Sequence, residues 1–397
     1  MSLHLMLKSL KRRKVVTGLL LLQLAMTLAL LLNAVMLASQ THASLNEPTG
    51  LDMENILQVQ LKPTTPELRK YPALSDLLER QLAGVRAVPG VIAVAYSNQG
   101  PLLQGGNNGN VFKVGAQERT NLASIPMYFV SADFFQVLGL TVQNGELPVS
   151  PTPLDGKVQS PVVLTQQLAE HLFAEENPVG QAVNRGPVAA VVSNFYGQRS
   201  AEHVFNNSVQ VAPLYGVDWG YSLLLRVEAG SADAVRQQLD QVLRNVDTNI
   251  EIFYVRSLAE QHHRLYRTEF GLAVLLTILA GLMLLVTMIS SYSNAHFHAL
   301  KSQQDIGIKR ALGASRQAIF VELLAEGWLC TLLGTGAGVF VALLLNKLLA
   351  TVIVIPAIPL WLPLLSISVL MLCVTLATWY PARIATRVSP ATATKTL

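Results

Sequence analysis

The sequence predicts a membrane α-helical protein, with four transmembrane helices in a 1+3 arrangement and a large mixed α+β extracytoplasmic domain. Three observations predict this class. The 397 residues are 51% hydrophobic and 14% charged, with a mean hydropathy of +0.39. That is too apolar for an ordinary soluble protein and too polar for helices buried wholly in lipid. Residues 15–37, 269–292, 318–346 and 360–380 form four apolar blocks, each meeting the ~20 residues needed to cross a bilayer. Finally, about 230 residues of globular composition separate the first block from the second, room for one or two small domains.

Charge orients these parts. Residues 38–268 hold 16 basic and 21 acidic side chains, a net of −5, and the remainder holds 13 basic and 4 acidic, a net of +9. The basic residues collect in the N-terminal segment 1–14 (Lys8, Lys11, Arg12, Arg13, Lys14), in the 293–317 loop (Lys301, Lys309, Arg310, Arg316) and in the 381–397 tail (Arg383, Arg387, Lys395). The outer loop 347–359 carries only Lys347. Positive residues stay on the cytoplasmic side, so both termini and the 293–317 loop are expected inside and residues 38–268 outside. An acidic domain also excludes nucleic acid as the partner behind the pI near 9.0.

The first block has a basic flank and a passable small-residue cleavage site at Thr41-His42-Ala43. Its apolar run exceeds the ~7–15 residues of a signal-peptide core, so it reads as a retained helix. Both cysteines, Cys330 and Cys373, lie in membrane blocks and leave the outer domain without a disulfide. That domain is therefore expected to be held by its own core.

Within it, residues 40–66 are polar and Pro-spotted, an extended lead-in. Leu74, Leu77, Leu78, Leu82 and Val85 make a helical stripe that Pro89-Gly90 ends. Residues 91–96 read as a buried strand and 100–110 as an exposed Gly/Asn turn. Residues 131–139 read as a short helix capped by Ser131 or Asp133. A strand at 161–165, a helix over 166–174, strands at 188–192 and 222–227, a helix over 231–245 and a strand at 250–255 complete the interleaved pattern.

Catalytic motifs are missing from the sequence. Asp155-Gly156-Lys157 lacks the upstream glycine and the hydroxyl of a phosphate-cradling loop. No His-Glu-x-x-His, Cys-x-x-Cys or Gly-x-Ser-x-Gly occurs. His262-His263 and His296-x-His298 read as interfacial polar side chains, because residues two apart on a helix point different ways. No metal site is expected. Asn206-Asn207-Ser208 is only a weak glycosylation match. Glu322 and Glu326 lie one turn apart on one face of the third block. Carboxylates at that depth are costly, so they read as a proton or cation site, or as anchors paired with a base such as Arg316. Gly334 and Gly338 form Gly-x-x-x-Gly, which permits close helix packing within the bundle or across a dimer. Pro356, Pro359 and Pro363 mark a non-helical outer loop.

The basic stretch Asp305-Ile-Gly-Ile-Lys-Arg-Ala-Leu-Gly-Ala314 lies between two blocks. Ile306, Ile308 and Ala311 would give a surface helix an apolar seam, with Lys309, Arg310 and Arg316 on its polar side. Gly313 would let the chain turn before the third block. In a chain without a nucleotide motif, such a loop reads as a socket for a separate ATPase.

These segments, with others, give the chain its likeness. Pro89-Gly-Val-Ile-Ala-Val94, the stretches 128–139 and 162–173, Asn177-Pro-Val-Gly180, Asp305 to Ala314, Glu326 with Gly334 and Gly338, and Pro381-Ala-Arg383 leading to Ser389-Pro390 occur in one order along the chain. In these it resembles the MacB/FtsX-like permease family of ABC transporters, the mechanotransmission class. Asp305 stands where that family usually has Glu, and Gly145-Glu146 where many members have Gly-Arg.

The resemblance implies a MacB periplasmic-core type of outer domain in a bacterial inner-membrane protein. It further implies a coupling helix around 303–316 that docks on the ATPase through Asp305, Gly307, Ile308, Lys309, Arg310, Gly313 and Arg316. The expected ATPase is a separate dimeric subunit that carries the ATP and Mg, with no cofactor bound by this chain. A second copy or a paralogue is the expected membrane partner, with a periplasmic adaptor and an outer-membrane channel as further possible partners. The substrate class spans peptide, antibiotic, lipid and lipoprotein. The alternative it implies is a non-transporting regulator of an extracytoplasmic hydrolase or sensor.

Overall fold

The computed structural model describes residues 14–115, 122–151, 160–174, 176–349, 351, 359 and 361–387. The chain divides into two compact units, one made of Met1–Ser44 with Arg267–Leu397 and the other of Leu45–Tyr266.

The helical unit holds α1 (Lys14–Leu45), α7 (Arg267–Lys301), α8 (Gln303–Ala311), α9 (Arg316–Leu349) and α10 (Trp361–Ala385). Among the described residues, α1, α7, α9 and α10 are the helices long and apolar enough to cross a membrane. All four run past the apolar blocks. In α1 the extension carries polar side chains that are satisfied on the helix itself, Ser39 Oγ donating to the Met36 carbonyl and Thr41 Oγ to that of Leu37. Helix α10 begins around Pro363, which sits in its first turn, where a missing N–H costs nothing. It then continues through Pro381, where the tail was expected to start. Pro356 lies outside the described residues.

Between α1 and α7 the second unit builds one mixed sheet flanked by helices. Its strands are β1 (Ile56–Pro63), β2 (Val91–Ser97), β3 (Asn108–Val111), β4 (Leu122–Val130), β5 (Val142–Gly145), β6 (Val162–Thr165), β7 (Ala182–Val183), β8 (Gly186–Val192), β9 (Ser208–Val211), β10 (Tyr221–Val227) and β11 (Ile250–Ser257). The helices are α2 (Ala73–Arg86), α3 (Phe134–Leu138), α4 (Gln166–Phe173), α5 (Ala232–Val246) and α6 (Leu258–Leu265). Strand order is β11-β1-β10-β2-β4-β9-β6-β8-β5, with β3 on β4 and β7 on β8. The first four strands are antiparallel neighbours, and β4–β9 and β6–β8 are parallel pairs.

Side chains alternate across a strand, and the cores follow that alternation. Leu57, Val59 and Leu61 of β1 pack with Leu74, Leu77 and Leu78 of α2 and with Val235, Leu239 and Leu243 of α5. Ile56, Ala93, Ala95 and Leu224 face the opposite core, which holds Phe134, Phe135, Tyr128 and Phe195. There the rings meet tilted or edge-on at 5.4–6.2 Å, the geometry aromatic quadrupoles favour. A third core joins Val162, Leu164 and Val188 to Leu168 and Leu172 of α4.

The structure corrects several expectations. The lead-in at 40–66 is the end of α1 followed by β1. The Gly/Asn turn ends in β3, which pairs with β4. Asp133 takes the cap position of α3 without a side-chain capping bond, its carboxylate accepting from Arg86 instead, while Ser131 Oγ accepts from the Tyr96 N–H. The weak glycosylation match is buried, with Asn206 and Asn207 both 0% exposed and Asn207 Nδ2 donating to the Phe195 carbonyl. His262 is no interfacial residue. It lies buried in α6, edge-on to Tyr196 and Tyr266. Burial, reinforced by His263, holds its pKa below the ordinary value.

Candidate coupling site at the α7–α9 turn

Helix α8 is short, so its position depends on what pins it. Ile306 and Gly307 are its buried residues. Ile306 packs with Ala299 of α7, Ile319 of α9 and Ala385 of α10. Arg310 Nη1 donates to the Thr386 carbonyl at 3.2 Å. Three helices thus hold α8 on one side.

The helix ends by a Schellman motif. Gly313 N–H donates to the Arg310 carbonyl at 3.1 Å and Ala314 N–H to that of Lys309 at 3.0 Å. Gly313 has φ +95°, a conformation that favours glycine. Ser315 Oγ then accepts from the Ala318 N–H and caps the next helix. The turn is therefore fixed by backbone chemistry.

Two expectations change here. The helix spans Gln303–Ala311 rather than 303–316, and Arg316 is the first residue of α9. The apolar seam is also split. Ile306 is buried, whereas Ile308 is 56% and Leu312 83% exposed, and Ala311 is exposed beside them. Ile308 and Leu312 are one turn apart and so share a face. Asp305, Lys309, Gly313 and Arg316 are exposed as well.

The carboxylate pair finds other bases than the expected Arg316. Lys309 Nζ lies 2.6 Å from Glu322 Oε1, tying α8 to α9. His298 Nε2 lies 3.3 Å from Glu326 Oε2, tying α7 to α9. Near the second pair, Thr17, Ser291, Asn294 and Thr378 help line a cavity of about 60 Å³. That space is room for a few waters. His296, two residues from His298, stacks on Tyr292.

The interior of the bundle is closed by its own side chains. A Cβ on Gly334 would lie 2.7 Å from Leu24 Cβ, and one on Gly338 2.9 Å from the Ala25 carbonyl oxygen. The two glycines thus admit α1 of the same chain. Thr27 and Thr287 share a hydrogen bond at 2.9 Å, and Gln23 donates to Thr287 at 3.3 Å. Asn33 donates to the Ala29 carbonyl within α1 and, at 3.5 Å, to the Ala342 carbonyl of α9. The few strongly polar groups inside the bundle join helix to helix. Among the described residues no cluster of three or more His, Cys, Asp or Glu could hold a metal.

Residues 17–242 match the MacB-like periplasmic core domain, and residues 277–390 match the FtsX-like permease C-terminal domain. The chain belongs to the MacB/FtsX-like permease family. Among curated relatives of this family, the macrolide export ATP-binding/permease protein MacB of Salmonella choleraesuis (strain SC-B67) is 25% identical over 275 residues, covering 66% of this chain and 42% of that protein. The protein of the same name from Escherichia coli (strain K12) is 27% identical over 276 residues, with the same coverage. The chain thus matches less than half the length of these MacB proteins. The periplasmic region of MacB from Actinobacillus actinomycetemcomitans aligns with 15% identity and a TM-score of 0.34, covering 54% of this chain and 94% of that one. The extracellular domain of the noncanonic ABC-type transporter YknZ from Gram-positive bacteria aligns with 14% identity and a TM-score of 0.31, covering 50% and 100%.

Proposed function

We propose that this permease couples ATP hydrolysis by a separate ATPase subunit to movement of its extracytoplasmic domain, and so drives export or extraction of a substrate from the outer side of the bacterial cytoplasmic membrane. The observation that carries the reading is the exposed apolar face of α8. Ile308 and Leu312 stand in solvent on a helix clamped by three others and closed by a rigid turn. A pinned helix with an unburied apolar face suits a protein partner that pushes on it. Lys309 and Arg316 flank that face and suit an acidic rim on the partner.

The packed interior supports a lever over a channel. Gly334 and Gly338 bring α9 against α1, the interior polar groups bond one another, and the cavity holds about 60 Å³. None of this offers a substrate a path between the helices. Chain connectivity suits the same reading: α1 reaches Leu45, where the sheet unit starts, and only Tyr266 separates α6 from α7. Force on either helix has little linker in which to dissipate. The basic residues favour α8 and both termini on the cytoplasmic side. Macrolide export, named for the relatives, gives one substrate class; peptides, lipids and lipoproteins fit the same layout.

Co-purification of the full chain with its ATPase tests the reading. Ile308→Asp with Leu312→Asp should abolish retention of the ATPase while thermal stability and expression stay at wild-type levels. Unaltered retention and unaltered stimulation of ATP hydrolysis would refute it.

A further inference from the structure

Away from the coupling turn, Trp219 is the most exposed large aromatic side chain among the described residues of the sheet unit, and it stands on a fixed backbone. Trp219 is 92% exposed in the turn between β9 and β10. The turn is not loose. Val217 N–H donates to the Arg69 carbonyl at 3.1 Å and Gly220 N–H to that of Val217 at 3.2 Å. Gly220 has φ +92°, and a side chain there would run into the Leu61 carbonyl. Tyr215, in the same loop, packs on Tyr71 with centroids 5.4 Å apart. A rigid turn therefore presents the indole, which forgoes the burial its large apolar area would favour.

Beside Trp219 lies an open cavity of about 580 Å³, within the ~300–1,000 Å³ of small-ligand sites. Its polar lining is Gln60, Asn98, Gln99, Asn107, Asp218 and Tyr254. The floor is preformed. Asn98 accepts from the Phe129 N–H and donates to the Met127 carbonyl. Gln99 Oε1 accepts from the Asn107 N–H and from Gln198. Two groups keep donors for a ligand. Gln60 Oε1 accepts from Ser222 Oγ, which leaves its NH2. The Tyr254 hydroxyl accepts from Gln58 Nε2, which leaves its own proton.

We propose that this cavity binds a neutral saccharide, one pyranose ring lying on Trp219 and its hydroxyls bonded to Asp218, Asn107, Gln60 and Tyr254. The chemistry selects this class. An aromatic face suits the C–H side of a sugar ring, and fixed amides, a carboxylate and a phenol supply the mixed donors and acceptors that hydroxyls require. Among the described residues no Lys or Arg lines the cavity; Arg256 stacks on the Tyr254 ring, and the Asp218 carboxylate in the lining disfavours a phosphate or carboxylate. The site lies wholly within the sheet unit and stands apart from the coupling reading, because binding is measured on the resting chain without nucleotide or ATPase.

The test uses the full chain in lipid nanodiscs, since alkyl maltosides are themselves saccharides. Fluorescently labelled protein is screened on an array of neutral glycans, and hits are titrated by calorimetry with the free oligosaccharide. The expected result is saturable binding of a neutral glycan that Trp219→Ala and Asp218→Asn each weaken about tenfold or more, with unchanged melting temperature. Absence of binding to every neutral glycan, or binding indifferent to both substitutions, would overturn the proposal. So would saturable binding of choline chloride in place of sugar, which the Asp218 and Trp219 pair would favour if the ligand were a cation. Saturable binding of a peptide that Trp219→Ala and Asp218→Asn abolish, with no neutral glycan bound, would overturn it equally.

Discussion

At residue scale, small and polar side chains decide how closely the parts approach. Gly338→Leu puts new atoms where the Ala25 backbone and Leu28 Cβ already lie, the latter 3.0 Å from the added Cβ. Overpacking of this kind costs about 1–3 kcal/mol. The variant should therefore melt earlier than wild type in detergent by circular dichroism. Gly334→Leu should recover part of its loss when Leu24→Ala makes room. An unchanged melt would show that α1 does not pack there.

His262 gives a second prediction. Burial depresses its pKa below 6.5, and its Nε2 has no partner among the described residues. The folded state therefore resists a proton that the unfolded chain accepts. The stabilisation is complete above the ordinary pKa and is lost as pH falls. Between about pH 7.5 and about pH 5.5 the melting temperature should drop less in His262→Phe than in wild type. Equal slopes would refute this. The spacing of Glu322 and Glu326 was legible in the sequence, but their partners were not. Lys309 arrives from α8 and His298 from α7, through tertiary packing that one helix's pattern does not contain.

At the scale of elements, long periodic segments were the legible ones. The stripe on α2 and the faces of α5, β2 and β10 follow the 3.6 and 2 periods and appear where expected. Strand β1 carries Leu57, Val59 and Leu61 alternating with Gln58 and Gln60, a clear period of two. Its Pro-rich surroundings hid it. Strands β5, β7 and β9 have four residues or fewer, too short to establish a period, and their partners stabilise them. Helix α6 did leave a signal, Ser257-x-x-Glu260, which forms a reciprocal capping box. Ser257→Ala should cost about 0.5–2 kcal/mol in urea melts of the sheet unit. A cost indistinguishable from zero would mean that tertiary packing alone sets that helix start. Helix α8 was legible in existence, but its limits depended on the Schellman turn. Ile308 is exposed because Ile306 and Gly307 take the inward positions, which the packing of three other helices decides.

At the scale of the whole molecule, the apolar blocks carried the architecture, because membrane thickness acts on sequence directly. The cavity beside Trp219 left no such trace. Gln60, Asn98, Asn107, Asp218 and Tyr254 come from separate strands and turns, and only the sheet order β11-β1-β10-β2 brings them together.

The lever account makes one demand on the intact complex. With Cys330 and Cys373 replaced, spin labels at Gln241→Cys on α5 and Lys301→Cys on α7 report the distance between the units by electron double resonance. In nanodiscs with the ATPase bound, ATP and Mg should shift that distance distribution, and trapping by vanadate should hold the shift. The Ile308→Asp, Leu312→Asp chain should show no change. A wild-type distribution that stays fixed while the complex hydrolyses ATP would contradict the lever.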